Sequence, residues 1–138
     1  DNVSFSKKAG TVRGLHYQIY PFAQAKFVSV INGSIFDVIV DLRKTSNSFK
    51  DYFSIELSRE NKKSLYVPRG FGHGFITLEE STIIIYKVDN SYAKESERSI
   101  RWDDEDLSIE WPYFEKYLLS ERDLKAANFK DSLDELKF

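Results

Sequence analysis

The stretch from Lys26 to Leu42, KFVSVINGSIFDVIVDL, decides the fold. Its halves, Phe27 to Ile31 and Ile35 to Leu42, are rich in β-branched and aromatic residues and flank Asn32-Gly33. Such side chains suit a pleated, half-buried surface. Asn-Gly supplies the positive φ that both central residues of a type I′ turn need, so the stretch predicts a hairpin. In the second half, alternation gives way to near-continuous apolar character, which predicts a central strand covered on both faces.

Outward from this pair, Tyr52 to Leu57, Ser64 to Val67, Ile76 to Leu78 and Thr82 to Val88 read as further strands. Pro68 ends the second of these by removing a donor, and Glu79-Glu80 predicts a second hairpin turn. Pro68 to Phe75 places three glycines around His73, as a bend at a barrel corner or close approach of a ligand would require. Residues 1 to 11 are polar and read as a loop. The chain is therefore expected to open without a strand of its own, as a fragment or a domain that borrows edge pairing from another chain. Residues 89 to 117 predict loops with short strands. Ser120 to Asp123 has the form of a helix start, with Ser120 as N-cap and Asp123 at the capping-box position. Leu124, Ala127, Leu133 and Leu136 keep roughly helical spacing after it. The expectation is one domain, residues 1–138, with seven or eight strands in a sandwich or jelly-roll barrel and one or two tail helices from about residue 120.

A chain of 138 residues can bury one core without disulfides or metals, and 41% hydrophobic residues support a globular domain over a disordered one. A net charge of −2 provides no basic field for nucleic acid or anionic membrane, so an anionic ligand needs local cations. The absence of cysteine removes thiolate nucleophiles and Cys-based zinc sites, and fits a reducing compartment. No apolar run approaches the roughly 20 residues of a membrane span. The expected location is cytoplasmic.

Arg13-Gly14-Leu15-His16-Tyr17-Gln18 places one of only two histidines among a cation, an amide and a ring. An imidazole titrates near neutrality and can take a proton from a carbon acid, while an arginine nearby can hold a phosphate or carboxylate. A histidine that simply satisfies its strand accounts for this hexapeptide equally well.

The blocks Val12 to Gln18, Gln24 to Lys26, Gly33 to Arg43, Leu57 to Asn61 and Val67 to Phe75 resemble the dTDP-4-dehydrorhamnose 3,5-epimerase family of nucleotide-sugar enzymes. Tyr86-Lys87, Tyr92, Glu97, Ser99 to Trp102, Ile109 to Pro112 and Leu119 to Asp123 continue the match in order, over nearly the whole chain. The resemblance implies a mainly β, cupin-type double-stranded β-helix with a short C-terminal helical tail. It also implies epimerisation of a 4-keto-6-deoxy nucleotide sugar at C3, C5 or both, without a cofactor. His16 matches the base, Tyr86 the acid on the opposite face, Asp123 the carboxylate that orients the base, and Lys26 the cation for the enolate. Asn2, Arg13, Lys26, His73, Tyr92, Glu97 and Arg122 match substrate-binding positions, with arginine at 122 where lysine is common. Family members carry some tens of residues ahead of the pair seen here as Asp1-Asn2, including an arm that crosses to a dimer partner.

Two other classes compete. Pro68-x-Gly70-x-x-His73 resembles the second cupin motif, in which histidine ligates a metal, and two histidines with a carboxylate can form a facial triad for iron. The first motif's paired histidines are missing, so metal independence is expected. The other class is a non-catalytic sugar-binding module on the same barrel. A homodimer with sheet-to-sheet contact is expected from the abrupt start, the doubly apolar Phe36 to Leu42 and the 15% aromatic content.

Overall fold

The computed structural model describes residues 1–138. Nine strands form two sheets: β1 (Asn2–Ser6), β2 (Val12–Gln18), β3 (Lys26–Asn32), β4 (Ser34–Asp41), β5 (Tyr52–Ser58), β6 (Ser64–Val67), β7 (Phe71–Thr77), β8 (Thr82–Val88) and β9 (Glu97–Ser99). A four-stranded sheet runs β1-β8-β3-β6 and a five-stranded sheet runs β5-β4-β7-β2-β9. All ladders are antiparallel. The architecture is mainly β, a two-sheet jelly roll closed by a tail containing α1 (Glu121–Leu124) and α2 (Phe129–Ser132).

β3 to β6 and β8 lie close to where the β-branched runs put them, whereas β7 begins at Phe71, inside the glycine-rich segment expected to bend, and two expected hairpins do not form. β3 and β4 belong to different sheets, as do β7 and β8. Asn32-Gly33 is therefore a corner at which the chain changes sheets. Only Gly33 takes positive φ there, at 79°, so the type I′ requirement of two such residues is not met. A Cβ on Gly33 would lie 2.4 Å from Thr82 Oγ1 and 3.0 Å from Thr82 Cα, across the corner. Local turn chemistry marked the reversal correctly; the burial demanded by two packed sheets decided which strands pair.

The opening residues also depart from the expected loop. Asn2–Ser6 forms a strand against β8, with Val3 opposite Ile85 and Phe5 opposite Ile83. Its polar alternation, Asn2-Val3-Ser4-Phe5-Ser6, hid a strand whose inner side faces a polar cavity.

β4 is central, between β5 and β7, and its two faces serve two cores. Ile35 and Ile39 join Val28, Leu57, Val67, Phe75 and Ile84 between the sheets. Val38, Val40 and Leu42 join Leu15, Tyr17, Ile100, Leu107, Phe129 and Leu136 beneath the C-terminal segment. The doubly apolar strand is thus satisfied within one chain and gives no support to a dimer. Gly72 and Gly74 face this back layer, where added Cβ atoms would meet Leu42 and Leu15 respectively. Gly72 and Gly74 therefore serve close packing behind the sheet, and Gly70, with φ of 88°, makes the bend before β7, so no ligand approach is needed to explain them.

Gly33→Ala should lower the unfolding free energy by about 2 kcal/mol or more, from positive φ and the Thr82 contact together. Urea titration reads this directly; a loss under about 0.5 kcal/mol would show that the corner reshapes freely.

Candidate active site

One end of the space between the sheets is polar. Two adjoining cavities of about 340 and 250 Å³ both include His16, Lys26, Tyr86 and Glu97 in their walls. Asn2 and Tyr92 line the larger, Arg13 and His73 the smaller. Side chains 84 residues apart in sequence thereby share one cleft.

The strand irregularity between Arg13 and His16 matters here. Residues three apart on a regular strand point to opposite faces, whereas Arg13 and His16 line the same cavity. Gly14 makes this possible. It takes φ of 123°, and a Cβ there would lie 2.6 Å from Gly74 Cα and 2.7 Å from the His73 carbonyl oxygen. His16 ends up directly opposite His73 on β7.

Each imidazole is held from behind by a carboxylate. His16 Nε2 lies 2.7 Å from Asp123 Oδ1. The Gly14 N–H donates to Asp123 Oδ2 at 3.2 Å. The Asp123 N–H donates to Ser120 Oγ at 3.1 Å, so Ser120 does cap the short helix. Only the Ser120 half of the expected capping box forms: the Asp123 amide serves the cap, while its carboxylate turns to His16 and Gly14 rather than back to Ser120. Burial pulls the Asp123 carboxyl upward, but the His16 hydrogen bond and charge, the Gly14 amide and Arg122 outweigh it and hold the group below its ordinary value. The second imidazole is anchored alike, His73 Nε2 lying 2.6 Å from Asp37 Oδ1. Neither ring makes a side-chain hydrogen bond through Nδ1.

Lys26 starts β3 with its Nζ 5.7 Å from the centroid of the Tyr86 ring, on the neighbouring strand β8. Burial pushes the ammonium below its ordinary value, opposed first by Asp37 and then by Glu97. Glu97 is clamped at the mouth, where Arg122 Nη2 lies 2.6 Å from its Oε1 and the Tyr92 hydroxyl donates to the same oxygen at 3.1 Å. Arg122 is on the rim and lines neither cavity. Arg13 has a buried Nε without a protein partner.

The structure therefore brings His16, Lys26, Tyr86, Asn2, Arg13, His73, Tyr92 and Glu97 to one cleft, with Asp123 behind and Arg122 at the edge. No three His, Cys, Asp or Glu side chains are grouped so as to hold a metal ion. Sequence reasoning missed Asp37, Gln24 and Ser4. Asp37 left a signal, an acid between Ile35 and Ile39 on one face of an apolar strand, and Gln24 opens a block that resembles the family; Ser4 left none.

Comparison with known proteins identifies the family. The family model described as dTDP-4-dehydrorhamnose 3,5-epimerase matches residues 1–131. The chain belongs to the dTDP-4-dehydrorhamnose 3,5-epimerase family. It is 50% identical over 123 residues to the enzyme of that name from Sinorhizobium fredii, covering 89% of this chain and 63% of the relative. Against the Shigella flexneri enzyme it is 46% identical over 132 residues, covering 96% and 72%. The epimerase structure from Elizabethkingia anophelis superposes with a TM-score of 0.91 at 50% identity, covering 94% of this chain and 71% of that one. A Legionella pneumophila epimerase in complex with dTDP-4-keto-L-rhamnose gives 0.92 at 39% identity, covering 100% and 74%. The chain thus spans roughly two-thirds of the length of these epimerases, and the shared portion is the cupin-like barrel.

A carboxyl held below its ordinary value stabilises the fold above the unfolded value near pH 3.9, and that stability is lost as pH falls through the folded value. The difference in stability between the parent and Asp123→Asn should therefore shrink as pH drops below about 4. Urea titrations from pH 7 to 3 measure it; a difference that grows toward pH 3 would contradict the pairing.

Proposed function

We propose that this chain epimerises a 4-keto-6-deoxy nucleotide sugar at C3, C5 or both, with dTDP-4-dehydro-6-deoxyglucose as the expected substrate and a dTDP-4-dehydrorhamnose as product. The observation that carries this reading is the grouping of a carboxylate-backed imidazole, a phenol and a partly desolvated ammonium around one cleft.

Inversion at carbon needs proton carriers on opposite faces. His16 lies on the five-stranded sheet and Tyr86 on the four-stranded one, so the sugar ring fits between them. His16 takes the proton from the carbon beside the ketone through Nδ1, with Asp123 holding the ring and supporting the imidazolium. The C–H electron pair becomes the enolate double bond, and the former carbonyl oxygen takes the negative charge. Lys26 meets that charge in a site largely shielded from water, where one such donor is worth around 3 kcal/mol. Tyr86 returns a proton to the opposite face, the ketone reforms, and the proton that His16 took passes to solvent while Tyr86 takes one back, which resets both groups. No cofactor or metal enters this sequence.

Arg13 and His73, in the wall of the smaller cavity, suit the sugar and its hydroxyls. Tyr92, 62% exposed at the mouth, offers a ring face to a nucleobase. Arg122 can leave Glu97 for a phosphate, and Asn2 supplies an amide beside it. No helix is long and apolar enough to cross a membrane. Action on a nucleotide sugar fits the cytoplasm, where such substrates are made.

The proposal extends to a homodimer. Its support is the outer side of the four-stranded sheet, where Val3, Phe5, Phe27, Ile31 and Tyr66 are 47 to 67% exposed. Covering such a face fits an interface of at least about 1,000 Å². Light scattering over a dilution series should give twice the chain mass; a single-chain mass at micromolar concentration in a folded sample would contradict it.

The activity test is NMR of the 4-keto-6-deoxy nucleotide sugar in deuterated solvent. The parent should introduce deuterium beside the ketone. His16→Asn should lower the exchange rate about a thousandfold, while Tyr86→Phe should retain exchange at the first carbon and lose net inversion. Exchange by His16→Asn within tenfold of the parent would overturn the assignment. A parent that binds the sugar nucleotide without exchange would instead indicate a binding module.

A further inference from the structure

Asp37 has no role in the mechanism above, yet its position is the least expected in the barrel. It sits on the inward face of β4 between Ile35 and Ile39, fully buried, where a third aliphatic residue would pack. A carboxylate in such a place is costly unless paired and fully hydrogen-bonded. Asp37 is only half satisfied: Oδ1 meets His73 Nε2 at 2.6 Å, while Oδ2 is buried without any partner. The same face of β4 packs across the barrel on β3, where Val28, two residues along from Lys26, joins Ile35 and Ile39 in the core. Lys26 makes no salt bridge of its own, although eight other ion pairs form in the chain.

We propose that Asp37 is a positioning residue: its carboxylate fixes a proton on His73 Nε2 and is the interior countercharge that keeps Lys26 an ammonium in the cleft. The proposal rests on the epimerase reading for the use made of that ammonium, but its physical content belongs to the free protein. The titratable and charged groups that line the cleft with Lys26 are Glu97 on β9, Tyr86 on β8, Arg13 and His16 on β2, and His73 on β7, with Asp37 on β4 buried behind His73. Three of these can only add positive charge or none. Glu97 is already engaged by Arg122 and Tyr92 at the mouth. Asp37 is thus the carboxylate best placed to offset the burial that drives Lys26 toward the neutral amine. A neutral lysine could not meet an enolate with a full charge, so the acid acts on the reaction without touching the substrate. The same hydrogen bond leaves His73 Nδ1 as the ring atom open to the sugar.

The sign is fixed by this arrangement. Removing the negative charge disfavours the ammonium, so Lys26 should lose its proton at lower pH and the alkaline limb of the rate profile should move the same way. The test uses the full chain labelled with 13Cε-lysine, the Lys26 signal being assigned by its loss in Lys26→Arg. In Asp37→Asn, which keeps the size and an acceptor for His73, the Lys26 midpoint in free protein should fall by roughly one pH unit. Glu97→Gln should lower it less. On the keto sugar, Asp37→Asn should lose up to about tenfold in kcat at pH 8 with KM within about threefold, and regain much of this at lower pH. A Lys26 midpoint unchanged by Asp37→Asn overturns the proposal whether or not the chain turns over the sugar. Should that variant not fold, nitrogen-detected imidazole spectra of the parent decide: a proton on His73 Nε2 supports the assignment, and one on Nδ1 overturns it.

Discussion

The contact between His16 and Asp123 is the constraint on which the rest of the site depends. It joins residues 107 apart, one on a central strand and one on a four-residue helix. A helix that short has almost no stability of its own. It stands where it does because the tail around it is packed on the back of the five-stranded sheet through Ile100, Leu107, Phe129 and Leu136, and because Ser120 caps it. The apolar layer behind the sheet therefore delivers a carboxylate to a histidine on the sheet, and the orientation of the base is a by-product of burying the tail.

A second constraint follows from the first. For Asp123 to reach His16 while Arg13 also faces the cleft, β2 must break its alternation, and it does so at Gly14, against the backbone of β7. That close approach places His16 opposite His73, so two imidazoles share one wall. Neighbouring imidazoles tend to repel each other's protons, and each here has its own carboxylate. The two carboxylates differ: Asp123 is satisfied on both oxygens, while Asp37 is not. Such inequality between similar groups is how one fold assigns them different tasks.

Much of this was legible in the chain. The β-branched runs marked β3 to β6 and β8 because pleated, half-buried surfaces select those residues, while the glycines of β7 hid most of that strand, and the double apolarity of β4 correctly announced a central strand. Pairing was less legible, since Asn32-Gly33 reports a reversal but not whether the next strand stays in the same sheet. β1 was hidden because its inward residues, Asn2, Ser4 and Ser6, face polar space, so the usual apolar alternation is diluted. At the site, the roles expected for His16, Tyr86, Lys26 and Asp123 came from resemblance to a family. The residues alone left His16 undecided and favoured a cap for Asp123. Asp37 escaped notice because a single acid in an apolar strand is read locally as an interruption, and only three-dimensional packing reveals what it faces.

The most direct test of the account is a double-mutant cycle on unfolding free energy at pH 7, using His16→Asn, Asp123→Asn and the pair. If the tail is held to the barrel through this contact, the two substitutions should be coupled by about 1.5 to 3 kcal/mol, as for a hydrogen bond to a charged group. Additivity within about 0.5 kcal/mol would contradict it, and with it the claim that the fold delivers the carboxylate to the base.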